Sequence, residues 1–112
     1  MEIMAYGQIC FGIPIGVYDA EELNRINKIL SLNKNQENQY TTFNYGVDDE
    51  LEYLLCIKNT FFLCDIFIPT KINLPRITKK DKKALLTFCE KHDITYLKNP
   101  GWYLTSYLKR CK

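Results

Sequence analysis

A chain of 112 residues, 46% hydrophobic and 13% aromatic, has the length of one domain and enough apolar side chain to bury a core, which excludes a disordered linker as its class. Its net charge of +2 conceals a division: residues 1–70 hold four basic against ten acidic side chains, and residues 71–112 hold eleven basic against three acidic. A basic C-terminal third of this kind marks a surface for a polyanion or an acidic partner, and no apolar run reaches the roughly 18 residues of a membrane-spanning helix.

Residues 3–11 alternate as a strand, with Ile3, Ala5, Gly7, Ile9 and Phe11 on one face and Met4, Tyr6, Gln8 and Cys10 on the other. Both faces are apolar enough for a central strand. Gly12, Pro14 and Gly16 are expected to break its regularity. Asp19 is a good N-cap for a first helix, and Glu22 stands where a capping box places its acid. Leu23, Ile26, Ile29 and Leu30 then form a stripe at helical spacing. The polar run 33–39 reads as a loop, residues 40–46 as a strand, and residues 47–50 as an acidic turn. Segments 51–58 and 61–68 are the clearest strands, and Asn59-Thr60 between them predicts a hairpin. A three-residue loop would set Cys56 opposite Cys64, whereas a two-residue loop would not.

Pro69 and Pro75 bracket an irregular basic segment. Thr78, followed three residues later by Asp81, predicts the capped start of a second helix. Ala84, Leu85, Phe88 and Cys89 make its buried stripe, with Lys79, Lys80, Lys82, Lys83 and Lys91 outside. Residues 94–97 read as a strand, Asn99-Pro100-Gly101 as a turn, and residues 102–108 as a final strand. The expected architecture is one domain, residues 1–112, of the α+β class: a single antiparallel or mixed sheet of five to six strands with two helices packed on it.

Five cysteines (Cys10, Cys56, Cys64, Cys89 and Cys111) are an odd number, scattered, with no C-x-x-C pair. They match neither a disulfide framework nor a zinc signature, and read as reduced thiols, buried except for Cys111 near the end. Together with a start, Met1-Glu2-Ile3-Met4, that lacks a basic leader, they point to a cytoplasmic protein. Cys89 and His92 share a helix face at a spacing of three, the minimum for an activated thiolate, but Cys89 sits in the core stripe and His92, the single histidine, in the last turn. The acidic residues Asp48, Asp49, Glu50 and Glu52 lack the spacing of a calcium loop, and no phosphate-binding glycine motif or nucleophile elbow occurs. The expectation is a protein that is not an enzyme and takes no cofactor or metal. The candidate binding residues are Arg76, Lys79, Lys80, Lys82 and Lys83, a dense positive cluster at a helix N-terminus, with Trp102, Tyr103 and Tyr107 as stacking surfaces. Lysine rather than arginine speaks against bidentate base reading.

The run Thr87-Phe88-Cys89-Glu90-Lys91-His92-Asp93-Ile94, the later Pro100-Gly101-Trp102-Tyr103-Leu104-Thr105-Ser106-Tyr107, and the opening Tyr6-Gly7-Gln8-Ile9 resemble small uncharacterised phage-encoded proteins with an FCEK…WYLSSYW-like C-terminus. The likeness covers about a third of the chain, and the tail departs from it in ending Leu108-Lys109-Arg110 where an aromatic is expected. The resemblance implies a phage accessory protein. The leading expectation is therefore a non-enzymatic interaction protein, an inhibitor of a host defence system that acts by binding a host or defence-system protein. The alternative is a binder that sequesters a nucleotide in a basic and aromatic pocket. Neither involves a membrane, and a homo-oligomer is compatible with both.

Overall fold

The computed structural model describes residues 2–32, 39–47, 52–65, 68–69 and 71–111. The chain forms β1 (Glu2–Ile15), α1 (Ala20–Leu32), β2 (Tyr40–Val47), β3 (Glu52–Ile57), β4 (Phe62–Asp65), α2 (Lys79–Lys91) and β5 (Gly101–Cys111). This is the expected α+β domain, with five strands in one sheet and two helices. The polar run 33–38, the acidic turn 48–50, the far end of the expected strand at residues 66–67 and the exposure of Cys111 lie outside what is described.

Strand β1 organises the sheet. One edge pairs antiparallel with β5 from Glu2↔Cys111 to Gly12↔Gly101. The other edge pairs with β4 over residues 6–9 and with β3 over residues 12–15. Strand β3 pairs antiparallel with β2, and β2 reaches β5 through a short parallel pairing, Gly46↔Tyr107 and Val47↔Leu108. The order β1, β3, β2, β5 and back to β1 therefore closes the sheet on itself, while β4 extends one edge.

Two expectations about the strands are corrected. First, β1 does not stop at Phe11 but continues to Ile15 through Gly12 and Pro14. At Gly12 the backbones of β1 and β3 approach so closely that a Cβ would lie 2.4 Å from the Leu55 carbonyl oxygen, so only glycine fits. Pro14 accepts a hydrogen bond from the Leu97 N–H at 2.9 Å on its outer edge and has no donor to return. Consequently, the strand expected at 94–97 shrinks to one bridge, Ile15↔Tyr96. Second, segments 52–57 and 62–65 are not a hairpin. They are two halves of one line of chain running along β1, separated by a 3-10 turn of three residues, Lys58–Thr60.

That turn would orphan the Phe11 N–H between the two ladders. The Thr60 hydroxyl accepts it at 2.9 Å and donates to the Ile57 carbonyl at 2.7 Å, with the side chain fully buried. Cys64 pairs with Gly7 and does not meet Cys56. The thiol near Cys56 belongs to Cys10; hydrogen bonding to it, together with burial, pushes the Cys56 thiol far up.

Because β1 is apolar on both faces, it serves two cores. Phe11, Ile13 and Ile15 join Leu55 and Ile57 beneath Ile26 of α1 and Leu85, Phe88 and Cys89 of α2. On the opposite face Cys10, Leu54 and Cys56 pack with Phe43, Tyr45, Phe61 and Tyr103 inside the curl of the sheet. Each such fully buried large side chain contributes about 1.5–3 kcal/mol.

Candidate interaction surface

Helix α2 is built to present its lysines. Thr78 accepts a hydrogen bond from the Asp81 N–H at 3.2 Å, and the Asp81 carboxylate accepts from the Thr78 N–H at 3.0 Å, which completes the expected capping box. With Leu85, Phe88 and Cys89 turned to the core, Lys79, Lys80, Lys82 and Lys83 stand exposed, and Arg76 is exposed just before the helix. Among the described residues the one salt bridge joins Glu22 to Arg25, so none of these five cations is ion-paired there.

The C-terminus of α2 ends in a Schellman motif. The Asp93 N–H donates to the Glu90 carbonyl at 3.3 Å, and the Ile94 N–H donates to the Cys89 carbonyl at 2.8 Å. Asp93 holds the left-handed position with φ 55°, and Ile94 is buried against the same core as Phe88 and Cys89. Besides Lys91 in the last turn, a cation reaches this helix end from the other helix. Arg25 donates to the carbonyls of His92 at 2.8 Å and Asp93 at 2.9 Å. Its remaining bonds hold the Glu22 carboxylate in a two-pronged pair, at 3.1 and 2.6 Å. Asp19 does cap α1, accepting from the Glu22 N–H at 2.8 Å, but the Glu22 side chain serves Arg25. Sequence spacing within one helix carries no signal for this α1–α2 tie.

His92, expected in the last turn of α2, is its C-cap residue. Its ring packs on Phe88 with centroids 4.6 Å apart, and its Nε2 is buried with no hydrogen-bond partner among the described residues. Burial, then Lys91 and Arg25, lower its pKa from 6.5. Cys89 is fully buried, and burial with the nearby Glu90 charge pushes its thiol up to about 11, opposite to the shift that activates a nucleophile. No group of three or more metal-ligating side chains occurs among the described residues. No described helix is long and apolar enough to cross a membrane.

Of the aromatic candidates, Trp102 and Tyr103 do not share one stacking surface. Trp102 pairs with Phe11 and lies on the helix side of the sheet, its ring edge-on to Phe11 at 5.6 Å and 81°. Tyr103 pairs with Cys10 on the opposite face, packs among the residues inside the curl, and donates its hydroxyl to the Asn99 carbonyl at 2.7 Å. Alternation along β5 separates the two rings, a consequence already implicit in their being neighbours in a strand. Tyr107 aligns with Tyr6 and Gly46 by backbone register, and its side chain lies outside what is described.

The structure brings to notice an apolar surface beyond the helices. Ile9 of β1 pairs with Phe62 of β4 on one side and Leu104 of β5 on the other, and Leu104 is 79% exposed. Comparison with protein-family models, with curated proteins and with solved structures finds no match to this chain.

Proposed function

We propose that this protein is a non-enzymatic interaction protein that docks through the exposed basic N-terminal part of α2. The carrying observation is the set of Arg76, Lys79, Lys80, Lys82 and Lys83, all exposed and none ion-paired among the described residues. Lysine is the commonest way to keep a helix solvated, yet solubility alone does not call for five cations in eight residues beside a chain half that carries the opposite charge. Such a field raises the encounter rate with an acidic partner and selects against basic ones. The setting, inhibition of a host defence system by a phage-encoded protein, rests on the likeness of the C-terminal third to small phage proteins.

Affinity capture from bacterial lysate tests the reading. The wild-type chain is compared with a variant carrying Lys79→Glu, Lys80→Glu, Lys82→Glu and Lys83→Glu. A partner held by wild type at low salt and lost by the variant supports it; equal recovery by both overturns it. A nucleotide sponge would instead reveal itself by thermal shift. A ligand at about 100 times its Kd stabilises by about 2.7 kcal/mol, and such a gain with any cyclic or linear nucleotide would replace the protein-binding reading.

A further inference from the structure

We propose that Cys10 and Cys56 are an oxidative modification site, a dithiol set across β1 and β3 that hydrogen peroxide closes into a disulfide compatible with the native sheet. The site is separate from α2 and does not rest on the docking reading. Gly12 of β1 pairs with Cys56 of β3, and Cys10 lies two residues before Gly12, on the same sheet face. The backbones approach so closely here that a Cβ on Gly12 would lie 2.9 Å from the Cys56 Cβ. Cys56 therefore has no side chain directly opposite, and Cys10 is its diagonal neighbour on β1. Both residues belong to the same small core with Leu54, and the two thiols are in hydrogen-bonding contact. Contact between thiols on adjoining strands lets a sulfur–sulfur bond form with little backbone movement. The other described cysteines lack this arrangement. Cys64 pairs with Gly7 and joins neither core, and Cys89 is buried in a core that holds no second cysteine among the described residues.

The surroundings set how the reaction runs. Both thiols are fully buried, and Phe43, Tyr45, Phe61 and Tyr103 pack around them. The thiol–thiol hydrogen bond and burial push the Cys56 thiol far up, so thiolate is scarce while the sheet is closed. Oxidation is therefore slow and follows local opening of the sheet. In the opened sheet one thiolate attacks the peroxide: its sulfur bonds to one oxygen, the O–O bond breaks, and hydroxide leaves with the thiol's proton as water. The second sulfur attacks the sulfenic sulfur, the S–S bond forms, and the sulfenic hydroxyl leaves with the second thiol's proton as water. Two thiols and one peroxide give one disulfide and two waters. The bond closes a loop of about 47 residues, which lowers the entropy of the unfolded chain.

The test incubates the full chain, reduced beforehand, with hydrogen peroxide under native conditions, then blocks the remaining thiols with iodoacetamide in denaturant. Peptide mapping without reductant reads the linkages, and circular dichroism reads the melting temperature. A double variant, Cys64→Ser with Cys111→Ser, is treated in parallel to remove the competing thiols outside the two cores. The expected dominant linkage in both proteins is Cys10 to Cys56 within one chain. The melting temperature of the oxidised form should rise by roughly 10 °C or more and return to its starting value on reduction. Recovery of Cys10 and Cys56 as alkylated thiols, or linked to other cysteines, would overturn the proposal. A Cys10–Cys56 linkage that forms only in denaturant would overturn it as well. So would a linked chain that melts at or below the reduced one, because the bond would then pull the sulfurs from their native places.

Discussion

Thr60 shows how one side chain permits a topology. A three-residue turn interrupts the line of chain opposite β1, and the Phe11 amide beside it has only the Thr60 hydroxyl to bond. Thr60→Val keeps the shape and removes both hydrogen bonds in a fully buried place. The expected loss is about 2–3 kcal/mol by denaturant unfolding, and Thr60→Ser should recover much of it. His92 makes a different contribution. Its folded pKa is lowered, so the neutral ring favours the fold above the unfolded value of 6.5, and this stability is lost as pH falls through the folded value. The wild-type melting temperature should drop between about pH 7 and 5, and His92→Phe, which keeps a ring against Phe88, should flatten that drop. A pH profile unchanged by His92→Phe would contradict the assignment. Neither role is legible in sequence: Thr60 acts on Phe11, far away in the chain, and the lowered pKa of His92 comes first from burial, which only the packed fold produces.

At the scale of elements, what was legible was local. Both helices, the Asp19 and Thr78 caps and the buried stripe of α2 follow from residues within one or two turns of each other. The errors arose where pairing is long-range. Segments 52–57 and 62–65 look like a hairpin because each has strand composition and Asn59-Thr60 lies between them; nothing local reveals that β1 offers a single edge to both. In the same way Gly12 and Pro14 read as breakers, although glycine is what the close approach to β3 demands and proline's missing donor faces the short bridge at Tyr96. The Arg25 tie between α1 and the end of α2 was likewise hidden. Arg25→Met would leave the His92 and Asp93 carbonyls without their shared donor. The expected cost is about 1–2 kcal/mol in thermal or denaturant melts, with the helices themselves retained by circular dichroism.

For the whole molecule, the division of charge acquires a location. The acidic N-terminal half supplies the cap of α1 and the carboxylate that holds Arg25, so Asp19 and Glu22 are committed to structure. The lysines of α2 have no such duty among the described residues. Their positions and their exposure are readable from helical spacing; that Trp102 and Tyr103 lie on opposite sheet faces follows from strand alternation once β5 is placed. Four lysines in the first turns of a helix oppose its dipole, so reversing them to glutamate should keep or raise the melting temperature while abolishing partner capture. Loss of binding without loss of stability separates a docking role from a structural one. The most direct test is the dissociation constant of the captured complex measured across a salt series, for wild type and for the quadruple lysine reversal. Affinity of the wild type should fall steeply with rising salt, and whatever binding the variant retains should be nearly insensitive to it. A wild-type affinity that does not change with salt, or equal affinities for the two proteins, would contradict docking through α2.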